Sequence, residues 1–150
     1  MEYFPILLKL ITIVVLSGLI GFEREKHKDI LGLAGLRTHM LVGLGATLTT
    51  IVSVYGFNAD PARVAAGIIT SIGFIGAGTI IATKGGVRGL TTATSIWVVS
   101  AIGIAVAVSM YVLSIFTTAL VLIILEFWRF EKRKFYKNKK NLKIKGGLKT

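Results

Sequence analysis

Apolar residues along this chain fall in long blocks separated by short polar segments. A bilayer core takes about 20 apolar residues as a helix, with a tolerance of several either way. The first block runs from Phe4 to Phe22, with Lys9 towards its outer end, and the second from Met40 to Phe57. A third follows Asp60-Pro61 and runs from Val64 to Thr83. The stretch from Leu90 to Phe127 is apolar apart from Glu126 beside its end. That is too long for one span and fits two helices joined by a tight turn near Val108-Ser109-Met110. The pattern predicts an all-α integral membrane protein, a bundle of about five transmembrane helices. Residues 1–128 form the membrane domain and residues 129–150 a basic tail.

Composition agrees. Of 150 residues, 53% are hydrophobic and mean hydropathy is +0.75. A chain this short has too much surface for its volume to bury that much apolar area, so the surplus must face lipid. There is no cysteine, which excludes disulfides and thiolate chemistry. The N-terminus lacks the basic start and small-residue cleavage site of a removable signal, so the first block is read as a retained span. Charge then sets orientation, because Lys and Arg stay in cytoplasmic loops. The loop from Glu23 to His39 holds Arg24, Lys26, Lys28 and Arg37, the next loop on that side holds Lys84 and Arg88, and the tail holds ten more. The opposite side holds only Arg63. The N-terminus is therefore expected outside and the C-terminus in the cytoplasm.

Asp60 before Pro61 reads as an N-cap followed by a proline at the first helical position, where the missing N–H costs nothing. Thr91 and Thr92 are placed to cap the fourth span. Many of the 17 glycines lie inside the spans, where small residues let helix backbones approach. Gly67 with Ser71, and Gly73 with Ala77 on a different face, suggest that the third span touches several neighbours from the centre of the bundle. Such faces also predict a homo-oligomer.

Three segments bring chemistry to the cytoplasmic face: Glu23-Arg24-Glu25, Arg37-Thr38-His39, and Arg88 with Thr91 and Thr92. Charges at the membrane edge are costly unless paired or hydrated. Two readings stay open: Glu23 or Glu25 pairs with Arg37 or Arg88 to lock the helix ends, or the cluster is an ion or anionic-ligand site. Mg²⁺ seeks oxygen ligands in octahedral geometry, and no acidic residue lies in the middle of a span. A carboxylate-lined pore is therefore not supported. Hydroxyls at Thr47, Thr49, Thr50, Thr70, Ser71, Thr79, Ser95 and Ser100 could line a path or bond between helices. His27 reads as a solvated loop residue, His39 as an interfacial one, Trp97 as a packing residue and Trp128 as an interface anchor. No nucleophilic triad, phosphate loop or zinc spacing occurs, so no enzyme and no resident cofactor are expected. In the tail, Arg129, Lys132, Arg133, Lys134 and Lys137 suit anionic lipid head groups, each contributing about 1 kcal/mol near the surface. Nucleic-acid binding is not expected.

Gly21-Phe22-Glu23-Arg24-Glu25, Ala34-Gly35-Leu36-Arg37-Thr38-His39 and Leu41-Val42-Gly43-Leu44-Gly45-Ala46 resemble blocks of the MgtC/SapB membrane protein family. The likeness continues through Asp60-Pro61-Ala62-Arg63-Val64-Ala65-Ala66, Gly73-Phe74-Ile75-Gly76-Ala77-Gly78 and Val87-Arg88-Gly89-Leu90-Thr91-Thr92-Ala93. It implies a prokaryotic inner-membrane protein concerned with adaptation to low Mg²⁺. The ion would be a ligand or substrate, and the protein would act by regulating a membrane partner such as an ATPase or transporter, or by carrying the ion directly. The resemblance carries over Glu23, Arg24, Glu25, Arg37, Thr38, Arg88, Thr91 and Thr92 at the cytoplasmic face and Asp60 and Arg63 at the external face.

Overall fold

The computed structural model describes residues 3–26, 34–57, 60–84 and 86–126. Helix α1 spans Tyr3–Glu25, and α2 spans Leu36–Ile51, continued by one π-helical turn at Val52–Gly56. Helix α3 covers Pro61–Ala77, strands β1 (Ile81–Thr83) and β2 (Gly86–Arg88) form an antiparallel hairpin, and α4 covers Leu90–Ala107. A fifth helix, α5, covers Tyr111–Glu126. Three of the five, α1, α2 with its π turn, and α4, are long and apolar enough to cross a membrane. The turn between α4 and α5 falls at Val108-Ser109-Met110, with Ser109 at φ 66°.

The bundle is apolar outside and finely polar within. Leu41 (68% exposed), Ile124 (68%) and Val112 (84%) face outward, while Ser17, Thr47, Ser100 and Ser114 are buried. Water would favour the reverse, so the distribution fits a lipid surround. Helices α1, α2 and α4 form the centre, around Ile13, Leu16, Ile20, Val99, Ile102 and Val106, with Tyr111, Val121, Leu122 and Leu125 of α5 packed against them. Glycines make this packing close. A Cβ at Gly43 would lie 2.9 Å from Ile13 Cγ1, and one at Gly103 only 2.8 Å from the Gly43 carbonyl oxygen. At Gly21 it would lie 2.8 Å from Leu36 Cα.

The third span differs from expectation in length and in place. It ends as helix at Ala77, and Ile81–Thr83 continues as a strand of the hairpin. Gly78 closes α3, the Thr79 and Ile80 amides bond back to Gly76 and Ala77, and Gly89 (φ +88°) turns the chain into α4. A side chain at position 89 would fall on the Thr79 carbonyl. Nor is α3 central. It packs mainly on α4, burying Ile72 and Gly76, while Phe74 is 86% exposed and Gly67 and Gly73 face open space. The close-approach glycines lie on α1, α2 and α4 instead.

Candidate functional site

The end of α1 and the starts of α2 and α4 meet at one end of the bundle. Glu25 Oε2 accepts the Leu36 N–H at 2.9 Å. Leu36 is the first residue of α2, and its N-cap is Gly35, which has no side chain to offer. Glu25 therefore caps α2 from another helix, setting a carboxylate at the positive end of the helix dipole. Arg24, in the last turn of α1, donates from Nη2 to Thr92 Oγ1 at 2.8 Å, tying α1 to α4. A hydrogen bond to a charged group is worth about 1.5–3 kcal/mol, so these two contacts fix the spacing of three helix ends.

His39 completes the latch and is not the interfacial residue expected from sequence. It is fully buried. Its Nδ1 lies 2.8 Å from the Gly35 carbonyl and its Nε2 lies 2.9 Å from Ser95 Oγ. A carbonyl only accepts, so Nδ1 carries a proton. Neutral His39 would then accept the Ser95 hydroxyl proton at Nε2, drawing it from the Thr92 carbonyl 2.8 Å away. His39 Nε2 and Ser95 Oγ thus join α2 to α4, one turn from the Arg24 anchor at Thr92. Gly21 makes room for this: a Cβ there would sit 2.9 Å from His39 Cβ. The sequence signal was present in the small and polar face Gly35, His39, Gly43, Ala46, Thr47 and Thr50, because in lipid such a face points inward.

The other expected residues divide. Among the described residues, Arg37 and Arg88 form no ion pair with Glu23 or Glu25; both are exposed, Arg88 on β2. Glu23 lies 4.0 Å from Lys26 instead. Thr38 is half-buried and Thr91 exposed. Neither Thr91 nor Thr92 caps α4, because Gly89 occupies the cap position; Thr92 is buried as the acceptor for Arg24. Trp97 is half-exposed on the outer surface rather than packed. Asp60 caps α3 as expected, accepting the Ala62 N–H at 2.9 Å. Most span hydroxyls bond to their own helix, as Thr50 does to Ala46 and Ser100 to Trp97; Thr47 crosses to the Gly103 carbonyl at 2.9 Å. His27, Trp128 and the basic residues Arg129, Lys132, Arg133, Lys134 and Lys137 lie outside the described residues.

At the opposite end Lys9 is buried, 5% exposed, and donates from Nζ to the Ala107 carbonyl at 2.6 Å. Tyr55, carried by the π turn, lies beside it with its hydroxyl at 3.4 Å and its ring centroid at 5.2 Å. A cation at the C-terminal carbonyls of α4 meets the negative end of that helix dipole. Sequence alone left this lysine as an isolated charge because its partner lies 98 residues away.

Residues 10–134 match the model of the MgtC family. YhiD of Escherichia coli (strain K12) is 43% identical over 129 residues, covering 80% of this chain and 59% of its own length. Protein MgtC of Brucella abortus (strain 2308) is 47% identical over 92 residues, covering 60% of this chain and 37% of its own length. Protein MgtC of Salmonella typhimurium (strain LT2) is 40% identical over 104 residues, covering 69% and 44%. The chain thus spans less than two thirds of the length of these relatives. No solved structure matches it. The family match over most of the sequence, the apolar exterior and the spanning helices make this chain a membrane protein of the MgtC family.

Proposed function

We propose that this chain is a non-enzymatic membrane domain of Mg²⁺ homeostasis in a prokaryotic cytoplasmic membrane, acting by regulating a membrane partner. In this reading five helices cross the bilayer, and the end bearing Arg24, Arg37, Lys84 and Arg88 faces the cytoplasm. The observation that carries it is the contrast between a closed centre and an open α3. Where α1, α2 and α4 meet, Gly43 and Gly103 bring backbone within van der Waals reach, and Thr47 spends its hydroxyl across the same contact. An ion path needs wet oxygen ligands, and the Gly43–Gly103 contact leaves no room for one between α2 and α4 there. Helix α3 presents Ala66, Thr70, Gly73 and Ala77 outward at spacings of four, three and four, the pattern on which another transmembrane helix packs closely.

The test places a photo-reactive residue at position 74 on α3 and, separately, at position 41 on α2, in cells lacking their own copy. The expected result is a cross-link from position 74 alone to one different membrane protein. Ala66→Leu should abolish that cross-link together with growth in low Mg²⁺. Full growth with the α3 face blocked would refute regulation through it. Direct transport of Mg²⁺ or another ion is the second reading. It is favoured by the name of YhiD as a candidate magnesium transporter and by the carboxylates of Glu23 and Glu25 gathered at one end of the bundle.

A further inference from the structure

A groove of about 420 Å³ opens between the end of α2 and the first half of α3, at the end of the bundle away from the Glu25 latch. Thr49 and Ser53, one helical turn apart, line it from α2 and its π turn, and Arg63 and Val64 line it from the first turn of α3. Gly67, where a Cβ would have nothing within 4 Å, completes the lining with Ile68 and Ser71.

The donors here are unspent. Neither the Thr49 nor the Ser53 hydroxyl forms a hydrogen bond among the described residues, whereas Thr50, Thr70 and Ser71 all bond to carbonyls of their own helix. The Arg63 guanidinium likewise forms no hydrogen bond or ion pair among the described residues. The Asp60 carboxylate, one turn back, is turned to the Ala62 N–H. No carboxylate lines the groove. Two hydroxyl donors and a guanidinium lining one groove suit an anionic oxygen group and repel a divalent cation. Val64 and Ile68, which also line the groove from α3, suit an alkyl chain. Arg63 lies two residues inside the start of α3, and Ser53 three residues before the end of the π turn. Both therefore sit at the depth of lipid phosphates in a spanning bundle.

We infer that this groove binds an anionic phospholipid, its phosphate held by Arg63, Thr49 and Ser53 and an acyl chain laid along Val64, Gly67 and Ile68. Such a lipid would fill the gap between α2 and α3 and set the tilt of α3, the helix whose outer face is otherwise open.

The test is native mass spectrometry of the full chain in detergent, titrated with phosphatidylglycerol or with phosphatidylcholine. Wild type should retain one tightly held phosphatidylglycerol in preference to phosphatidylcholine. Arg63→Gln removes the charge-assisted contact and should weaken that binding about tenfold or more. Gly67→Leu, which fills an empty space without touching a charge, should displace the lipid with the fold intact. Arg88→Gln at the other end of the bundle should leave it unchanged. Equal retention in wild type, Arg63→Gln and Gly67→Leu would overturn the assignment. So would displacement of the lipid by millimolar inorganic phosphate, which would make the groove a free-anion site. A lipid-free dimer that Gly67→Leu dissociates would assign the groove to a second copy of the chain and equally refute the lipid.

Discussion

Gly103→Ala tests the packing account at its tightest point. The new methyl would lie 2.8 Å from the Gly43 carbonyl oxygen, 3.0 Å from Ala46 Cβ and 3.1 Å from Thr47 Oγ1. Two of these neighbours are backbone or Cβ atoms, which cannot rotate away. Carbon atoms settle at about 3.5–4.0 Å, so α2 and α4 must separate locally by roughly half an ångström or more. Overpacking of this kind costs about 1–3 kcal/mol. The shift also stretches the 2.9 Å bond from Thr47 to the Gly103 carbonyl, and an interhelical bond in a membrane protein averages about 0.6 kcal/mol. Against these, alanine is the better helix former by about 0.8–1 kcal/mol. The net expectation is a loss of about 0.6–2.8 kcal/mol, a factor of roughly 3 to 100 in the folded-to-unfolded ratio. Gly73→Ala supplies the internal control: its Cβ meets nothing within 4 Å, so only the helix preference remains and stability should hold or rise slightly. The assay is reversible unfolding in mixed micelles as the denaturing detergent fraction is raised. Equal behaviour of the two variants would refute the α2–α4 contact as drawn.

Lys9→Met should cost about 1–3 kcal/mol in the same assay, because the buried Ala107 carbonyl loses its donor. Tyr55→Phe should cost far less, since its hydroxyl lies at 3.4 Å and its ring is retained. Glu25→Ala removes the cap on α2 and should cost about 0.5–2 kcal/mol, with Glu25→Gln milder because an amide oxygen can still accept the Leu36 N–H. A double-mutant cycle of Arg24→Gln with Thr92→Val should return a coupling of about 0.5–3 kcal/mol. The cycle of Arg24→Gln with Thr91→Val should return none, because Thr91 is exposed.

The five helices and the α4–α5 turn were legible in the sequence because block length and the Val108-Ser109-Met110 break are local signals, though the third block ends as helix at Ala77. Asp60 was legible for the same reason: an N-cap and its amide are two residues apart. What failed was long-range or depended on which side faces in. His39 reads as interfacial by its place at a helix start, yet it is buried because the polar and small face of α2 is the inward one. Thr92 reads as a cap, but the Gly89 turn takes that position and leaves the threonine to Arg24 of α1. The glycines of α3 look like contacts of a central helix. Spacing marks which residues allow close approach, but not whether a neighbour within the same chain makes it, and at Gly67 and Gly73 none does.

The measurement that bears most directly on the functional account is Mg²⁺ flux into liposomes containing only this chain, read with an internal Mg²⁺-sensitive dye against empty liposomes. A closed α1–α2–α4 centre predicts uptake no greater than that of empty liposomes from well-folded protein. Saturable uptake that is lost in Glu25→Ala would contradict that account and make the chain a transporter.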